Sequence, residues 1–534
     1  MNLAHPELPG NWLRKPLPLI VIIGLFVGSV YEASNYIIAG NISGLAYVAL
    51  VFVGCVVVVA MLIDWRNGLY FFLVWLLFED LARKYLGNNM AVYFAKDFLV
   101  AVVYLWFFVA YSRKQVTSFR PPFLVPLLLF VWFGMMQVLN PASTSLMYGV
   151  LGMKLFFYYV PLLFIGYALL NSEEQLRHFF FVNIVLALII ASLGIAQSIL
   201  GHKFLNPETI AEDIRELSTN YRASPITGLV SYRPTSVFVS TGRYGNFMLV
   251  SLLMSTGFSG YLLLRHKKGR NLTFFLLVTV SAALVLGAAR GVLLWGIGSV
   301  LVFAAAFMWG APWRQREVLR VLRTVQRAAL GIALGLALLF IFFPEALRSR
   351  VAFYTETLSP SSSASQLQHR SWDYPIWNLL GAFSYERWPY GYGIGTASLG
   401  TQYVARIFHV KPLGVGVESG FGTLIVEMGI GGLILWFIMT FAILFPAWRV
   451  IKKLRGSPLF PLAFMIFWYA GLLLLAMTFA GMQPYQDFVL NAYLWLLLGI
   501  LFRLPTLALS AQYAAASQIP AAAQDSAAYA PRMR

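Results

Sequence analysis

The stretch LVLGAARGVLLWG, residues Leu284–Gly296, places a single charge, Arg290, between two apolar runs. Both runs continue beyond the stretch, and a helix that crosses a membrane needs roughly 20 predominantly apolar residues. The pattern therefore predicts two membrane-crossing helices that meet in a tight turn at Arg290. A charge at such a turn, with no acidic residue nearby in sequence, is costly and is typical of a functional residue.

The whole chain has the composition of a membrane protein. Of its 534 residues, 59% are hydrophobic and only 11% are charged, and the mean hydropathy is +0.73. A soluble globule of this size could not bury so much apolar surface. The 39 Lys and Arg residues exceed the 21 Asp and Glu residues, which in an apolar chain is typical of basic cytoplasmic loops and anionic lipid rather than of nucleic-acid binding. The single cysteine, Cys55, excludes a disulfide framework.

Apolar runs of spanning length predict an all-α polytopic protein with about fourteen transmembrane helices, about twelve being the alternative. The run from Gly68 is the weakest, because charged residues follow from Glu79 onward. The first run follows Arg14 and Lys15 and lacks a small-residue cleavage site, so we interpret it as a retained helix. The runs begin near Leu17, Gly44, Gly68, Phe94, Phe123, Met147, His178, Tyr244, Leu272, Gly291, Ala328, Phe421, Leu459 and Asp487.

Basic residues in short loops set the orientation. The segments Arg265–Arg270, Arg314–Arg327 and Arg449–Arg455 carry almost no acid, which predicts that they face the cytoplasm. Successive segments are separated by a pair of spans, so one threading satisfies all three and puts both termini in the cytoplasm. We predict one integral-membrane domain, residues 1–505, followed by a disordered cytoplasmic tail, residues 506–534, that is rich in Ala, Gln and Ser.

This threading leaves two long segments outside, residues 201–243 and 344–420. Both are rich in Trp, Tyr, Arg and Gly rather than in the residues of disordered chains, so we predict two ordered extracytoplasmic loops that carry function. The sequence contains no convincing repeat, so the inverted-repeat symmetry of transporters is neither supported nor excluded.

Cations are concentrated at this outer face. A guanidinium group matches phosphate geometry and keeps its charge at biological pH, so converging arginines would bind a diphosphate. The alternative for each one is contact with lipid headgroups or with a nearby carboxylate. Lys154, inside an apolar run, is open to the same two interpretations, and Lys96 and Asp97 are expected to neutralise each other. The outer cations are Arg222, Arg233, Arg243, Arg290, Arg370, Arg387, Arg406, His409 and Lys411.

The stretch RWPYGYGIGTASLG, residues Arg387–Gly400, combines alternating glycines with aromatic rings. Gly391, Gly393 and Gly395 would allow close backbone approach and free N–H groups for an anionic or sugar ligand. The strand and spacing of a dinucleotide fingerprint are missing. The surrounding rings suit stacking on sugars, although aromatic residues are also common at membrane interfaces without a ligand. These rings are Trp372, Trp377, Trp388, Tyr390 and Tyr392.

Several segments together resemble the O-antigen ligase and O-antigen polymerase superfamily of bacterial glycan-assembly enzymes. Glu427, Gly429 and Gly432 fit the Glu-x-Gly-x-x-Gly that ends the family pattern, and Pro389 with the three glycines fits its middle. Ligases of the family usually have His-Asn nine residues before the helix glutamate, where this chain has Glu418 and a serine. The segments are HRSWDYPIWNLL (369–380), RWPYGYGIGTASLG (387–400), VESGFGTLIVEMGIGGLILW (417–436), RPTSVF (233–238) and GAARG (287–291).

The resemblance implies a multi-pass protein of the bacterial inner membrane whose active site faces the periplasm. A hydroxyl of one glycan would attack the anomeric carbon of a second glycan carried on undecaprenyl diphosphate, without a metal or nucleotide cofactor. The departure at Glu418 favours polymerisation of a repeat unit over ligation to lipid A core, and leaves Glu418 and His409 as alternative bases. A chain-length regulator or an export complex would be the protein partners.

Competing interpretations are a secondary transporter or flippase for an anionic or lipid-linked solute, which needs charged residues lining a path through the spans, and a scaffold subunit of a secretion complex.

The expected roles divide the candidate site residues into five groups. The expected assignments are Arg233 and Arg290 to the diphosphate, Arg370 and Arg387 to diphosphate or sugar, Glu418 to the proton, Trp372, Trp388 and the three glycines to the glycan, and Arg243, His409 and Lys154 to further substrate contacts.

Overall fold

The computed structural model shows a chain that is mostly helical, with one short two-stranded sheet among the described residues. It divides into two compact units, one of residues 1–117 with 206–214 and the other of residues 118–205 with 215–534. The predicted spans that begin near Leu17 and Gly44 fall largely outside the described residues. The structure describes residues 64–517 except 209, 266–268, 311–314 and 415–416, together with a few positions before residue 64.

The first unit contains two long helices that pack on each other, α1 (Trp65–Tyr85) and α2 (Met90–Ser112). The charges at the end of α1 are buried, and ion pairs stabilise them there. The guanidinium Nη1 of Arg83 lies 3.0 Å from Oδ1 of Asp80, and the Nζ of Lys96 lies 3.0 Å from Oε2 of Glu79. The sequence predicted that Lys96 would be neutralised by its neighbour in the chain, whereas this ion pair joins it to the adjacent helix.

The helices of the second unit follow in chain order. Their bounds are α3 (Leu124–Val138), α4 (Leu146–Phe157), α5 (Leu162–Leu169), α6 (Glu173–Leu200), α7 (Glu212–Ser218, which begins in the first unit), α8 (Thr241–Arg265), α9 (Arg270–Leu286), α10 (Arg290–Gly310), α11 (Gln315–Phe342), α12 (Pro344–Leu358), α13 (Tyr374–Gly381), α14 (Thr401–Phe408), α15 (Gly420–Lys453), α16 (Phe460–Gly471), α17 (Thr478–Ala480), α18 (Gln483–Gln486) and α19 (Phe488–Ser517).

Within the described residues, eight helices are long and apolar enough to cross a membrane. They coincide with eight of the apolar runs seen in the sequence, and the protein is therefore a multi-pass helical membrane protein in its described part. The runs near Phe123 and Leu272 form shorter apolar helices, and the run near Ala328 bends by 117° where α11 meets α12. The eight are Met90–Ser112, Leu146–Leu169, Glu173–Leu200, Thr241–Arg265, Arg290–Gly310, Gly420–Lys453, Phe460–Ala480 and Phe488–Leu509.

Small residues allow a close helix crossing in the second unit, between α5 and α19. A Cβ atom at Gly166 would overlap the backbone carbonyl of Leu496, and one at Gly499 would overlap that of Leu163. Membrane helices approach closely at such positions because glycine removes the side chain between two backbones. Helix α19 continues to Ser517, past the predicted start of a disordered tail at residue 506, and residues 518–534 lie outside the described part.

The long segments that connect the spans contain regular elements. Residues 201–243 include a two-stranded antiparallel ribbon of β1 (Asn220–Ala223) and β2 (Val230–Arg233), in which Asn220 is opposite Arg233 and Arg222 is opposite Ser231. Residues 344–420 include α12, a π-helical turn (His369–Asp373), α13 and α14. These segments carry the candidate site.

Candidate functional site

Helix α12 holds the β-ribbon at both ends. The guanidinium of the buried Arg350 donates from Nη2 to the carbonyl oxygen of Tyr232 at 2.8 Å and from Nε to that of Leu286, also at 2.8 Å. Two turns further along the helix, the carboxylate of Glu356 accepts hydrogen bonds from the N–H of Ile226 at 2.7 Å and from Oγ1 of Thr227 at 2.7 Å. The ribbon is therefore fixed to α12 and to the end of α9.

We expect Glu356→Gln to loosen the turn of the ribbon, because the substitution removes the charge and turns one acceptor oxygen into a donor that faces N–H groups. Amide hydrogen exchange at Ile226 and Thr227 should quicken by about tenfold, the order expected for loss of a charge-assisted hydrogen bond. The exposed Glu345 at the start of α12 supplies the control, Glu345→Gln, which should leave exchange unchanged. Equal exchange in both variants would show that other contacts hold the turn.

Arg290 is the first residue of α10 and is half-buried. Its Nη1 donates to Oε1 of Gln366 at 2.7 Å, and its Cζ lies 5.2 Å from the centroid of the Phe353 ring. Gln366 follows α12 in the chain, and Phe353 lies on α12, so the helix that fixes the ribbon also positions this guanidinium. The N-terminus of a long helix adds a partial positive charge at the same place.

Like-charge interactions link four guanidinium groups here: Arg222 and Arg290 act on Arg233, and Arg222 and Arg370 act on Arg290. We call these four residues the arginine cluster. Burial, followed by the like charges of Arg222 and Arg290, lowers the pKa of Arg233 to about 10, so this side chain is still charged at neutral pH. Its Nε is buried, and no hydrogen-bond partner lies near it among the described residues.

No carboxylate forms an ion pair with the arginine cluster in the part of the chain that the structure describes. Arg233 and Arg290 are half-buried, whereas Arg222 and Arg370 are exposed. The like charges repel one another, and the two half-buried guanidinium groups also lose hydration. A bound anion would offset both costs. Arginine presents paired N–H donors that match two oxygens of a phosphate group, so the cluster is chemically suited to a diphosphate.

The helical segment that begins near Arg370 also contacts the backbone of Glu418. Arg370 lies in the π-helical turn, and its Cζ is 4.8 Å from the centroid of the Tyr374 ring. Asn378, one turn later in α13, donates from Nδ2 to the carbonyl oxygen of Tyr374 at 2.9 Å, and its Oδ1 accepts from the N–H of Glu418 at 3.1 Å. This arrangement ties the exposed Glu418 to the helix that begins at Arg370.

Exposed aromatic rings line the same segment. Trp372 is 62% and Trp377 is 64% exposed, and the His369 ring centroid lies 5.7 Å from that of Trp377. Open indole faces beside polar groups suit a sugar ring. Trp388 differs, because it is half-buried and packs against Ala382, Ile425 and Val426; it contributes to the apolar core under α13.

The glycine stretch is buried, and packing explains it without a ligand. Gly391, Gly393 and Gly395 all have positive φ and are buried. A Cβ at Gly395 would overlap the carbonyl oxygen of Tyr148. The prediction that these glycines present free N–H groups to a ligand is wrong at Gly391 and Gly393. Their N–H groups donate to the carbonyl oxygens of Arg387 at 2.7 Å and of Glu427 at 3.0 Å.

The glycine stretch packs against α15 at a kink in that helix. Gly429 has φ 70°, and the helix is therefore irregular there. The fully buried Glu427 accepts through Oε1 from the N–H of Ala397 at 2.9 Å and from Oγ of Ser398 at 2.7 Å. Glu427, in the segment that resembles the end of the superfamily pattern, therefore fixes residues 391–398 to α15.

The remaining predicted residues lie at other positions in the second unit. Nε of Arg243 forms an ion pair with Oδ2 of Asp487 at 2.7 Å, so the structure supports the alternative interpretation of this arginine, a carboxylate partner. Arg243 and Lys154 both lie over the ring of Phe488, at 5.8 and 5.1 Å from its centroid. Arg387 and His409 are exposed, and His409 is the C-cap residue that follows α14, with φ 52°.

Sequence reasoning missed the residues that position Arg290 and the β-ribbon. Gln366 and Phe353 contact Arg290, Glu356 binds the turn of the ribbon, and no local sequence pattern distinguishes any of the three. Arg222 was noticed as an outer cation but was not given a role. Within the described ranges, no three His, Cys, Asp or Glu side chains are grouped so as to hold a metal ion.

Neither a model of a known protein family nor a curated protein matches this chain. Fold and site define a helical, multi-pass membrane protein with a concentrated guanidinium site on its connecting segments.

Proposed function

We propose that this protein is a glycosyltransferase at the outer face of the bacterial inner membrane. It takes a glycan from an undecaprenyl-diphosphate carrier and joins it to a sugar hydroxyl, most simply as a polymerase of a surface polysaccharide. The observation that carries the proposal is the arginine cluster, four guanidinium groups with no carboxylate ion pair in the described part of the chain. The resemblance of the surrounding segments to the O-antigen ligase and polymerase superfamily supports the same conclusion.

The proposed topology places the cluster in the periplasm. It has about fourteen spans, cytoplasmic basic loops and both termini in the cytoplasm, so that the segments 201–243 and 344–420 lie outside. The positive-inside rule supports this arrangement through the basic segments between spans. Undecaprenyl diphosphate would sit with its lipid tail in the outer leaflet and its diphosphate at the arginine cluster.

The proposed reaction needs a stabilised leaving group and a proton acceptor. The acceptor hydroxyl oxygen forms a bond to the anomeric carbon of the donor glycan, and the bond from that carbon to the diphosphate oxygen breaks. The electron pair leaves with the lipid diphosphate, whose growing charge the arginines stabilise. The carboxylate of Glu418 takes the hydroxyl proton, and Trp372 and Trp377 stack on the glycan.

The deciding experiment is to incubate the purified protein with lipid-linked repeat units and to separate the products by size. A ladder of lengthened chains supports a polymerase. A single shifted species on lipid A core would identify a ligase, the second candidate. Movement of the lipid-linked glycan across vesicles without lengthening or transfer would overturn the proposal in favour of a flippase.

We expect Glu418→Gln to lower turnover by about a hundredfold, within the range that general acid–base catalysis contributes. Affinity for the donor should change little, because the neutral amide still occupies the same volume. Glu386→Gln is the matched control, since Glu386 is an exposed glutamate of the same loop, and it should keep wild-type turnover. Equal weakening of turnover and donor binding in Glu418→Gln would remove Glu418 from the proton-accepting role.

A further inference from the structure

We infer that Gln366 is a positioning residue that orients Arg290 while leaving its positive charge available to a phosphate ligand. The proposal rests on the proposed function only in naming undecaprenyl diphosphate as that ligand. Its structural basis is the 2.7 Å hydrogen bond from Nη1 of Arg290 to Oε1 of Gln366, together with the surroundings of both side chains.

Two further contacts fix the geometry of this hydrogen bond. The ring of Phe353 covers Arg290 from one side at 5.2 Å. Thr357, one turn further along α12, accepts a hydrogen bond through its carbonyl oxygen from the backbone N–H of Gln366 at 2.9 Å. Phe353 and Thr357 are both buried, at 3% and 1% exposure, so the guanidinium and its amide partner are held by the same rigid face of α12.

The chemistry of the partner matters as much as its position. A glutamine oxygen accepts one guanidinium hydrogen and carries no net charge, so most of the five N–H donors and the full positive charge remain for a ligand. A glutamate of nearly the same shape would form an ion pair and compete directly with a phosphate. The amide of Gln366 therefore orients the guanidinium of Arg290 without neutralising its charge. Arg290 is the arginine of the cluster that begins a membrane-crossing helix.

Two substitutions separate this role from a purely structural one. Gln366→Ala removes the hydrogen bond but keeps the charge of Arg290 free, whereas Gln366→Glu keeps the shape but supplies a competing carboxylate. If charge availability matters, glutamate is the more harmful substitution; if Gln366 only fills space, alanine is. Gln368, an exposed glutamine two residues later, gives the matched controls Gln368→Ala and Gln368→Glu.

The test measures binding of undecaprenyl diphosphate to the purified full-length protein in nanodiscs, with undecaprenol as the uncharged probe. We expect Gln366→Glu to weaken diphosphate binding by at least about tenfold, the loss of one charge-assisted contact, and Gln366→Ala to weaken it less. Both Gln368 variants should bind like wild type, and undecaprenol binding should not change in any variant. Thermal unfolding of each variant reports whether it is folded.

The outcomes for this inference and for the proposed function are distinct. Wild-type affinity in a folded Gln366→Glu protein, or a larger loss in Gln366→Ala than in Gln366→Glu, overturns the positioning role, even if the wild type forms a glycan ladder. A wild type that binds undecaprenyl diphosphate with the expected order among variants, yet transfers no glycan, overturns the proposed reaction and leaves the role of Gln366 in place.

Discussion

Replacing Arg290 with either alanine or lysine is expected to lower the rate of glycan transfer by at least about a hundredfold, the usual effect of removing one preorganised donor to a developing negative charge. Alanine removes the charge. Lysine restores a charge but presents it as a compact ammonium group, which loses the planar fork that meets two phosphate oxygens. It also loses the flat contact with Phe353 that holds the guanidinium.

The measurement is the transfer rate of purified variants that insert and purify like wild type. Arg348 provides the matched control, because it is an exposed arginine of α12, the helix that positions Arg290, and its alanine and lysine variants should stay active. A fully active Arg290→Lys enzyme would argue against fork-type binding of the diphosphate. Full activity of Arg290→Ala would remove the arginine cluster from the reaction altogether.

Gly395→Ala is expected to prevent normal folding of the second unit. Gly395 has φ 87°, and a Cβ there would overlap the backbone of Tyr148 in α4. Positive φ costs an alanine about 1 to 2 kcal/mol, and overlap with a close-packed backbone adds about 1 to 3 kcal/mol more. We expect a sharp fall in the yield of monodisperse protein and in the midpoint of thermal unfolding.

Gly400 separates the two causes. Its φ is 90°, nearly the same as at Gly395, but the nearest atom to an added Cβ is Cδ2 of Leu151 at 4.0 Å. Gly400→Ala therefore keeps the backbone strain without the overlap and should lower stability by only about 1 to 2 kcal/mol. Equal stability of the two variants would mean that the stretch 391–398 does not pack on α4 as described.

The burial of residues 391–398 changes the interpretation of the glycines that resemble the superfamily pattern. Gly391 and Gly395 are needed because the backbone there packs directly on the backbone of Glu427 and Tyr148. The same stretch packs on α15 beside the kink at Gly429 and donates to the carboxylate of Glu427. The groups that we propose to face the ligand lie on the preceding segment, where Arg370 and the exposed rings of Trp372 and Trp377 follow one another along the chain. A sequence pattern can therefore mark residues that support a site as well as residues that contact a ligand.

The locations of membrane-crossing helices could be predicted from the sequence because hydropathy over roughly 20 residues is a local property. Eight predicted runs form helices of spanning length. The weak run near Gly68 shows the limit of local reasoning. Its helix continues through charged residues to Tyr85. These charges are stabilised by ion pairs such as Lys96–Glu79, and the hydropathy of a segment gives no information about such partners.

Sequence alone determined that this is a multi-pass helical membrane protein with arginines on the segments between its spans. Only the tertiary structure decided which of these arginines pair with a carboxylate. Arg243 is paired with Asp487, 244 residues away in the chain, whereas Arg290 contacts the uncharged Gln366, 76 residues away. The position of a membrane-crossing helix depends on the hydropathy of neighbouring residues in the chain. The partner of a charged side chain depends instead on tertiary packing, which brings together residues that are far apart in the sequence.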